Sequence, residues 1–135
     1  MQRIIVLLAL AACSHAASAQ STHPLLGTWN WNPVRGTCPE VHTYRDDGTA
    51  QTRSGSEVLE KTFTVSRAGG RMYEVTGKVV SSNGGRDCLG SETQVGATST
   101  VFIQPLNDGS YFTCASEDGM SCYGTAHRAD KQGGT

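Results

Sequence analysis

Histidine and serine side chains are the groups in this chain that would support nucleophilic catalysis. The sequence has no Gly-x-Ser-x-Gly elbow, the tight turn that presents a serine nucleophile in many hydrolases. His23, His42 and His127 each have the chemistry of a general base, but serines are so frequent that one near a histidine indicates nothing. We therefore predict no catalytic residue. If an activity were found, His42 and His127 would be the first positions to replace.

Metal and phosphate sites are not indicated by the residue spacing. A structural zinc site needs pairs of cysteine or histidine at short spacing, such as Cys-x-x-Cys, and the sequence from residue 20 onwards has none. Asp46-Asp47-Gly48 lacks the alternating acidic positions of a calcium loop. No glycine-rich loop precedes a helix, as nucleotide phosphates would require. We predict no metal and no cofactor.

The cysteines indicate disulfide bonds instead. The chain has five cysteines, of which Cys13 falls in the N-terminal leader. The other four are Cys38, Cys88, Cys114 and Cys122. An even number of cysteines in an exported domain predicts two disulfides.

The N-terminal residues have the pattern of an export signal. Arg3 precedes an apolar stretch, residues 4–12, which is shorter than the roughly 20 residues of a membrane-spanning helix. Two cleavage sites compete. Ala17-Ser18-Ala19 would end a signal of residues 1–19, whereas Leu10-Ala11-Ala12-Cys13 resembles a bacterial lipobox, in which residues 1–12 are removed and Cys13 is lipidated. Cleavage after Ala19 is favoured, and either route predicts a periplasmic, secreted or outer-membrane-anchored protein.

The remaining chain has the length of one domain and little net charge. Without Arg3, one of the 11 basic residues, ten basic residues face 12 acidic ones, so the net charge is about −2. No run of lysine and arginine occurs, and this argues against electrostatic binding to nucleic acid or to anionic membranes. A membrane contact is expected only through a lipid on Cys13. The sequence does not indicate an oligomeric state.

Short alternating segments between turn residues predict an all-β domain at residues 27–128. Phe63 and Val65 share one face of their segment, as in an antiparallel strand with one buried face. A meander of eight short strands avoids exposed edges by closing into an up-and-down barrel. Residues 20–26 would form an N-terminal arm, and residues 129–135 a disordered tail. The strands are predicted near residues 27–32, 41–46, 49–54, 58–67, 71–80, 95–104, 110–115 and 121–127.

Hairpin geometry favours one disulfide pairing. If Glu117-Asp118-Gly119 is a three-residue loop with glycine in the left-handed conformation, Cys114 lies directly opposite Cys122. A two-residue turn would break this register. We favour Cys114–Cys122, which leaves Cys38–Cys88 as the second bridge.

The two ends of the predicted barrel resemble the lipocalin-like, or calycin, family. Gly27-Thr28-Trp29 opens the first strand, and Arg128 closely follows the last. In that family a Gly-x-Trp tryptophan closes one end of the barrel and a basic residue of the final strand covers it. The resemblance implies that Gly27, Trp29 and Arg128 form a structural floor, with Arg128 stacked on the indole and donating to backbone oxygens. The chain is shorter than a typical lipocalin and lacks the C-terminal helix, so the resemblance concerns the fold and not the ligand.

Large side chains are the candidates for recognition. Strand alternation selects Phe63, Tyr73 and Tyr123 as residues that would line a cavity for a small apolar ligand. Trp31 and Arg35, on the connection after the first strand, are the candidates for contact with a protein target. Our first hypothesis is a non-enzymatic binding module with a small apolar ligand in the barrel. The alternative is an inhibitor or immunity-type protein whose loops block an extracytoplasmic enzyme of the protease or lysozyme type, since some exported inhibitors share this small-barrel plan.

Overall fold

The described residues, 23–131 in the computed structural model, form a closed barrel of eight antiparallel strands. Each strand pairs with the next along the chain, and the last pairs with the first. This confirms the predicted eight-stranded up-and-down barrel. The leader, with Cys13 and both candidate cleavage sites, and residues 132–135 lie outside the described residues. The strands are β1 (Gly27–Pro33), β2 (Glu40–Tyr44), β3 (Thr49–Ser54), β4 (Glu57–Arg67), β5 (Tyr73–Ser82), β6 (Thr98–Pro105), β7 (Tyr111–Cys114) and β8 (Cys122–Arg128).

The connections divide the barrel into two ends. At the loop end lie residues 34–39, 55–56, 83–97 and 115–121, and at the floor end lie the N-terminal residues 23–26 and the short hairpins 45–48, 68–72 and 106–110. Aspartates shape three of the hairpin turns. Asp108 is typical, because its Oδ1 accepts a hydrogen bond from the Ser110 backbone N–H at 2.9 Å, and Gly109 then takes a φ of 83°.

Both disulfides connect the predicted partners. Cys114 and Cys122 are opposite each other on β7 and β8 with Cα atoms 3.7 Å apart, and Gly119 has the left-handed φ of 71° that this register requires. Cys38 and Cys88, with Cα atoms 5.3 Å apart and 50 positions apart in sequence, tie loop 34–39 to loop 83–97. Chain entropy gives the longer closure about 4 kcal/mol of stabilisation. The disulfides therefore hold the loop end.

The floor end is closed by the tryptophan of β1. The Trp29 indole is 2% exposed and donates from Nε1 to the Leu25 carbonyl oxygen at 2.7 Å. The Arg128 guanidinium carbon lies 4.2 Å from the centre of the Trp29 ring, and its nitrogens donate to the Leu26 and Pro24 carbonyl oxygens. Gly27 leaves room for this arrangement, because it has a φ of 110° and a Cβ there would collide with Arg128. These are the contacts that the family resemblance implies.

Several strand boundaries differ from the sequence-based ones, and β5, for example, covers Tyr73–Ser82 where the sequence predicts residues 71–80. Arg45 and Asp46 belong to a turn and not to β2, and β6 begins at Thr98 because residues 83–97 form a long loop. Ala129–Lys131, the first residues of the predicted tail, form a 3-10 turn that packs near β1. In the described part of the chain, no helix has the length and apolar character needed to cross a membrane.

Candidate functional site

The barrel interior holds two adjoining cavities of about 250 Å³ each. Alternate residues of every strand point inwards, so all eight strands contribute to the lining or to the floor beneath it. The first cavity lies toward the floor and the second beneath loop 83–97. They meet at side chains that line both: Glu40, Thr52, Lys61, Gly77 and Ser99.

The floor-side cavity is mostly apolar and aromatic. The Tyr44 and Phe63 rings meet edge to face with centroids 5.1 Å apart, while the Trp31 and His42 rings stack at 6.0 Å with 10° between their planes. Such walls offer ring faces and edges to a flat or apolar ligand. Beyond the shared residues, the lining consists of Trp31, His42, Tyr44, Ala50, Phe63, Val75, Val101, Ile103, Tyr111, Thr113 and Tyr123.

The Trp31 indole is held in one orientation. Its Nε1 donates to the Thr113 Oγ1 at 3.0 Å, and the Tyr123 ring contacts it edge to face at 6.3 Å. Gly124, on the neighbouring strand β8, leaves the space that the indole occupies, since a Cβ at that position would overlap three indole atoms. Tyr123 sits at a bulge of β8, and it both lines the cavity and is 43% exposed to solvent.

Carboxylates line the loop-side cavity, and each has a protein partner. Glu57, only 2% exposed, accepts hydrogen bonds from the Thr93 backbone N–H at 2.7 Å and the Thr93 hydroxyl at 3.0 Å, which fixes loop 83–97 over the barrel. Asp87 Oδ1 accepts two backbone N–H groups of its own loop, at 2.9 and 2.8 Å. On β2, a 2.7 Å hydrogen bond joins Glu40 Oε2 to His42 Nε2. The carboxylates therefore organise the loop and the upper wall.

Lys61 differs from these carboxylates. It lies on β4 in the wall that the two cavities share, and its ammonium makes no hydrogen bond or ion pair with any described residue. Burial lowers the pKa of Lys61, and the negative charges of Glu40 and Glu57 act in the opposite direction. Its ammonium is thus a partly desolvated cation with unused N–H donors.

Two tyrosines at the bottom of the cavity have perturbed acidities. Burial raises the pKa of Tyr44 to about 12, and burial beside Tyr44 also raises the pKa of Tyr111. The Tyr111 hydroxyl lies next to that of Tyr44 but makes no hydrogen bond of acceptable geometry with any described residue. Both phenols are therefore neutral at physiological pH.

The structure brings some of the sequence-predicted site residues together. Phe63 and Tyr123 line the floor-side cavity, but Tyr73 does not; it lies at the floor end of β5, under the Arg67 guanidinium at 4.7 Å. Trp31 is part of β1 and lines the cavity, so it does not lie on the connection after the first strand, where we expected contact with a protein target. Arg35 is exposed in loop 34–39.

The three candidate histidines of the sequence analysis, His23, His42 and His127, occupy different surroundings. His42 faces the cavity, whereas His127 is exposed on the outer side of β8. The His23 ring contacts Phe63 edge to face at 5.5 Å, and burial lowers the pKa of His23. They are thus dispersed over the barrel and do not form one cluster.

Sequence reasoning missed Glu40, Tyr44, Lys61 and Tyr111. Strand alternation could have found Lys61, because it has the same parity as Phe63 on one strand, but a lysine is ordinarily placed on the wet face. The tyrosines needed the register of β2 and β7. A cluster of Cys38, Glu40 and Cys88 has the spacing of metal ligands, but both sulfurs are bonded to each other, so it offers no thiolate.

Comparison of the chain with protein-family models, with curated proteins and with solved structures finds no match. The geometry of the barrel interior is therefore the basis for assigning a function.

Proposed function

We propose that this protein is an exported, non-enzymatic binding module of lipocalin-like kind, which holds a small ligand with an apolar body inside its barrel. The observation that carries this proposal is the aromatic cavity of about 250 Å³ at the floor side, adjoined by a second of the same size. An eight-stranded barrel is narrow enough for its own side chains to fill, so a void of this size is a distinctive property. The two disulfides are compatible with the oxidising environment that export implies.

The shape and chemistry of the lining support a ligand with a compact apolar part. Ring faces of Trp31, Tyr44 and Phe63 surround the floor-side space, and the aliphatic side chains of Val75 and Ile103 complete it. Tyr123, which lines the cavity and is 43% exposed, marks the expected route of entry. Burial of apolar surface against such walls contributes roughly 25 cal/mol per Å² to binding, before the costs of association.

A neutral fluorescent probe tests this proposal. N-phenyl-1-naphthylamine should become brighter and shift to the blue when the mature protein is added, because the cavity excludes water. Gly77→Leu should abolish this uptake. Gly77 lies in the wall between the two cavities, and a Cβ there would stand 3.6 Å from the Ser99 Oγ, in ordinary contact, so the added side chain extends into free space.

The matched control is Lys78→Leu, which adds a leucine at the next, exposed position of the same strand. It should leave probe uptake unchanged. Equal binding by Gly77→Leu and the parent protein would place the probe outside the barrel and contradict the proposal.

A second candidate function is supported by the exposed apolar side chains. Val34, Leu89, Val95 and Met120, between 57% and 84% exposed, lie on three different loops of the loop end, and Arg35 shares one of those loops. Exposed apolar residues gathered at one end are typical of a protein contact. They favour an inhibitor or immunity-type protein that would block an extracytoplasmic enzyme.

Purified lysozyme-type and protease-type enzymes test this second function. If the protein inhibits one of them, Leu89→Asp and Met120→Asp should weaken the inhibition, while Phe63→Ala, inside the barrel, should not. Absence of inhibition across both enzyme types would reject this candidate.

A further inference from the structure

The charged groups around the loop-side cavity are unequally satisfied. Glu40, Glu57 and Asp87 each accept a hydrogen bond at 2.9 Å or less from a neighbouring group. Lys61 has no hydrogen bond or ion pair among the described residues, although it lines both cavities. Glu40 and Glu57 act on this ammonium through their charges, but neither fills its N–H donors. A buried donor without an acceptor is costly, and an acceptor that carries negative charge relieves this cost most effectively.

Hydroxyl groups surround the same position. Thr52 and Ser99 line both cavities together with Lys61, and neither side chain forms a hydrogen bond with a described residue. Gly77, between them, has no side chain that would obstruct an approach to the ammonium. The shared wall thus presents one charged donor and two hydroxyl donors to the space between the aromatic floor and loop 83–97.

A cationic ligand fits this arrangement less well. The aromatic rings would accept a cation on their faces, but Lys61 projects into the same space and would repel it. Glu40, which lines both cavities, already accepts a hydrogen bond from His42. Glu57 and Asp87, in the loop-side cavity, already accept hydrogen bonds from loop 83–97. The unused capacity of the site is therefore for an anion.

We propose that the cavity takes a small carboxylic acid, whose apolar or aromatic body lies among Trp31, Tyr44 and Phe63 and whose carboxylate accepts hydrogen bonds from the Lys61 ammonium. This inference rests on the proposed binding function and specifies the ligand class. The hydroxyls of Thr52 and Ser99 supply further donors to the carboxylate oxygens. Size limits the body to one or two small aromatic ring systems or a medium-length alkyl chain, because the two adjoining cavities have only about 250 Å³ each.

Three indole derivatives with one body and different charges test the ligand class. They are indole-3-acetate, the neutral indole-3-ethanol and the cationic tryptamine, titrated into the mature protein by calorimetry at pH 7. Indole-3-acetate should bind at least about tenfold more tightly than the alcohol, which is the size of a single charge-assisted hydrogen bond. Tryptamine should bind most weakly.

Lys61→Met should reduce the affinity for indole-3-acetate about tenfold and leave that for indole-3-ethanol nearly unchanged. Lys61→Gln keeps an N–H donor but removes the charge, and it should also lower the preference for indole-3-acetate over indole-3-ethanol. Lys61→Arg keeps the charge and should retain this preference. Lys78→Met is the matched control, because it removes one lysine charge from the outer face of the barrel. It should not alter the preference.

The outcomes separate this inference from the proposed function. Equal affinity for the acid and the alcohol, tighter binding of tryptamine, or an acid preference that survives both Lys61→Met and Lys61→Gln would overturn the anion site. Failure of all three indoles to bind would overturn it as well. In each case, uptake of the neutral naphthylamine that Gly77→Leu abolishes would show that the cavity still binds apolar ligands. Loss of that uptake in the parent protein would instead reject the binding function itself.

Discussion

Replacement of Gly124 by alanine should destabilise the barrel through one specific contact. Gly124 is buried on β8 next to the Trp31 indole, and a Cβ there would overlap the Cζ2, Cε2 and Nε1 atoms. The backbone of Gly124 does not have a positive φ, so alanine brings no conformational strain of its own. The indole must therefore move, and its hydrogen bond to Thr113 must lengthen or break.

Two contributions give the size of the effect. Overpacking of a well-filled site costs about 1–3 kcal/mol, and the lost hydrogen bond to Thr113 about 0.5–1.5 kcal/mol. The free energy of unfolding should thus fall by roughly 2–4 kcal/mol, which corresponds to a decrease in Tm of about 10 °C for a domain of this size. Urea denaturation followed by circular dichroism and by tryptophan fluorescence measures both quantities.

A double-mutant cycle identifies the contact. In a Trp31→Leu background, where the indole is absent, Gly124→Ala should cost less than about 1 kcal/mol, because the two sites couple only through direct contact. Gly69→Ala, in the hairpin 68–72 where nothing lies within 4 Å of an added Cβ, is the control and should change stability by less than about 0.5 kcal/mol. A Gly124→Ala protein as stable as its parent, or an equal cost in both backgrounds, would refute the reasoning.

Three further predictions concern the phenol, the floor and the long loop. The free energy of unfolding should fall by about 2–3 kcal/mol between pH 10 and 12, because Tyr44 keeps its proton in the fold up to a pKa of about 12 but loses it near 10 when unfolded. Urea titrations of Tyr44→Phe should lack this contribution to the pH dependence, and a pH profile identical to that of the parent protein would contradict the prediction. Arg128→Lys should lower the free energy of unfolding by about 1–3 kcal/mol, and with it the Tm, since lysine cannot both cover Trp29 and donate to two carbonyls. A Tm equal to that of the parent protein would show that the stacking is not needed. Glu57→Ala should speed hydrogen exchange in loop 83–97, which it anchors, whereas an unchanged exchange rate would show that the disulfide alone holds the loop.

The architecture was predictable from sequence because its signals are local. A strand of alternating residues and a turn with Asp or Asn before Gly are each encoded within a few positions. The three-residue loop that ends at Gly119 fixed the register of β7 and β8, and with it the pairing of Cys114 and Cys122. Errors occurred where local rules compete, as in loop 83–97, whose β-branched residues are held by Glu57 and a disulfide and do not form a strand.

The candidate site was predictable only in part, because it depends on how far along the barrel each inward residue lies. Strand alternation places both Phe63 and Tyr73 on the inward face of the sheet. Because β4 and β5 continue beyond the floor-side cavity, Tyr73 falls outside the cavity lining. Trp31 is a candidate for protein contact by residue type, but β1 extends to Pro33 and alternation turns the indole into the barrel. Lys61 also lies on the inward face of its strand, two residues before Phe63. A lysine is nevertheless expected on the surface, because its charge is costly to bury.

A count of small inward residues explains why this barrel is hollow. An eight-stranded barrel is filled when its inward positions carry large side chains. Here the lining at mid-height includes Ala50, Thr52, Gly77 and Ser99, on three strands, so the aromatic rings below have no apolar partners above them. Filling this space would gain roughly 0.8 kcal/mol for each buried methylene, and at Gly77 no backbone or steric obstacle prevents it. The open cavity next to Lys61 therefore costs stability, and this cost supports the proposed binding function over a purely structural interior.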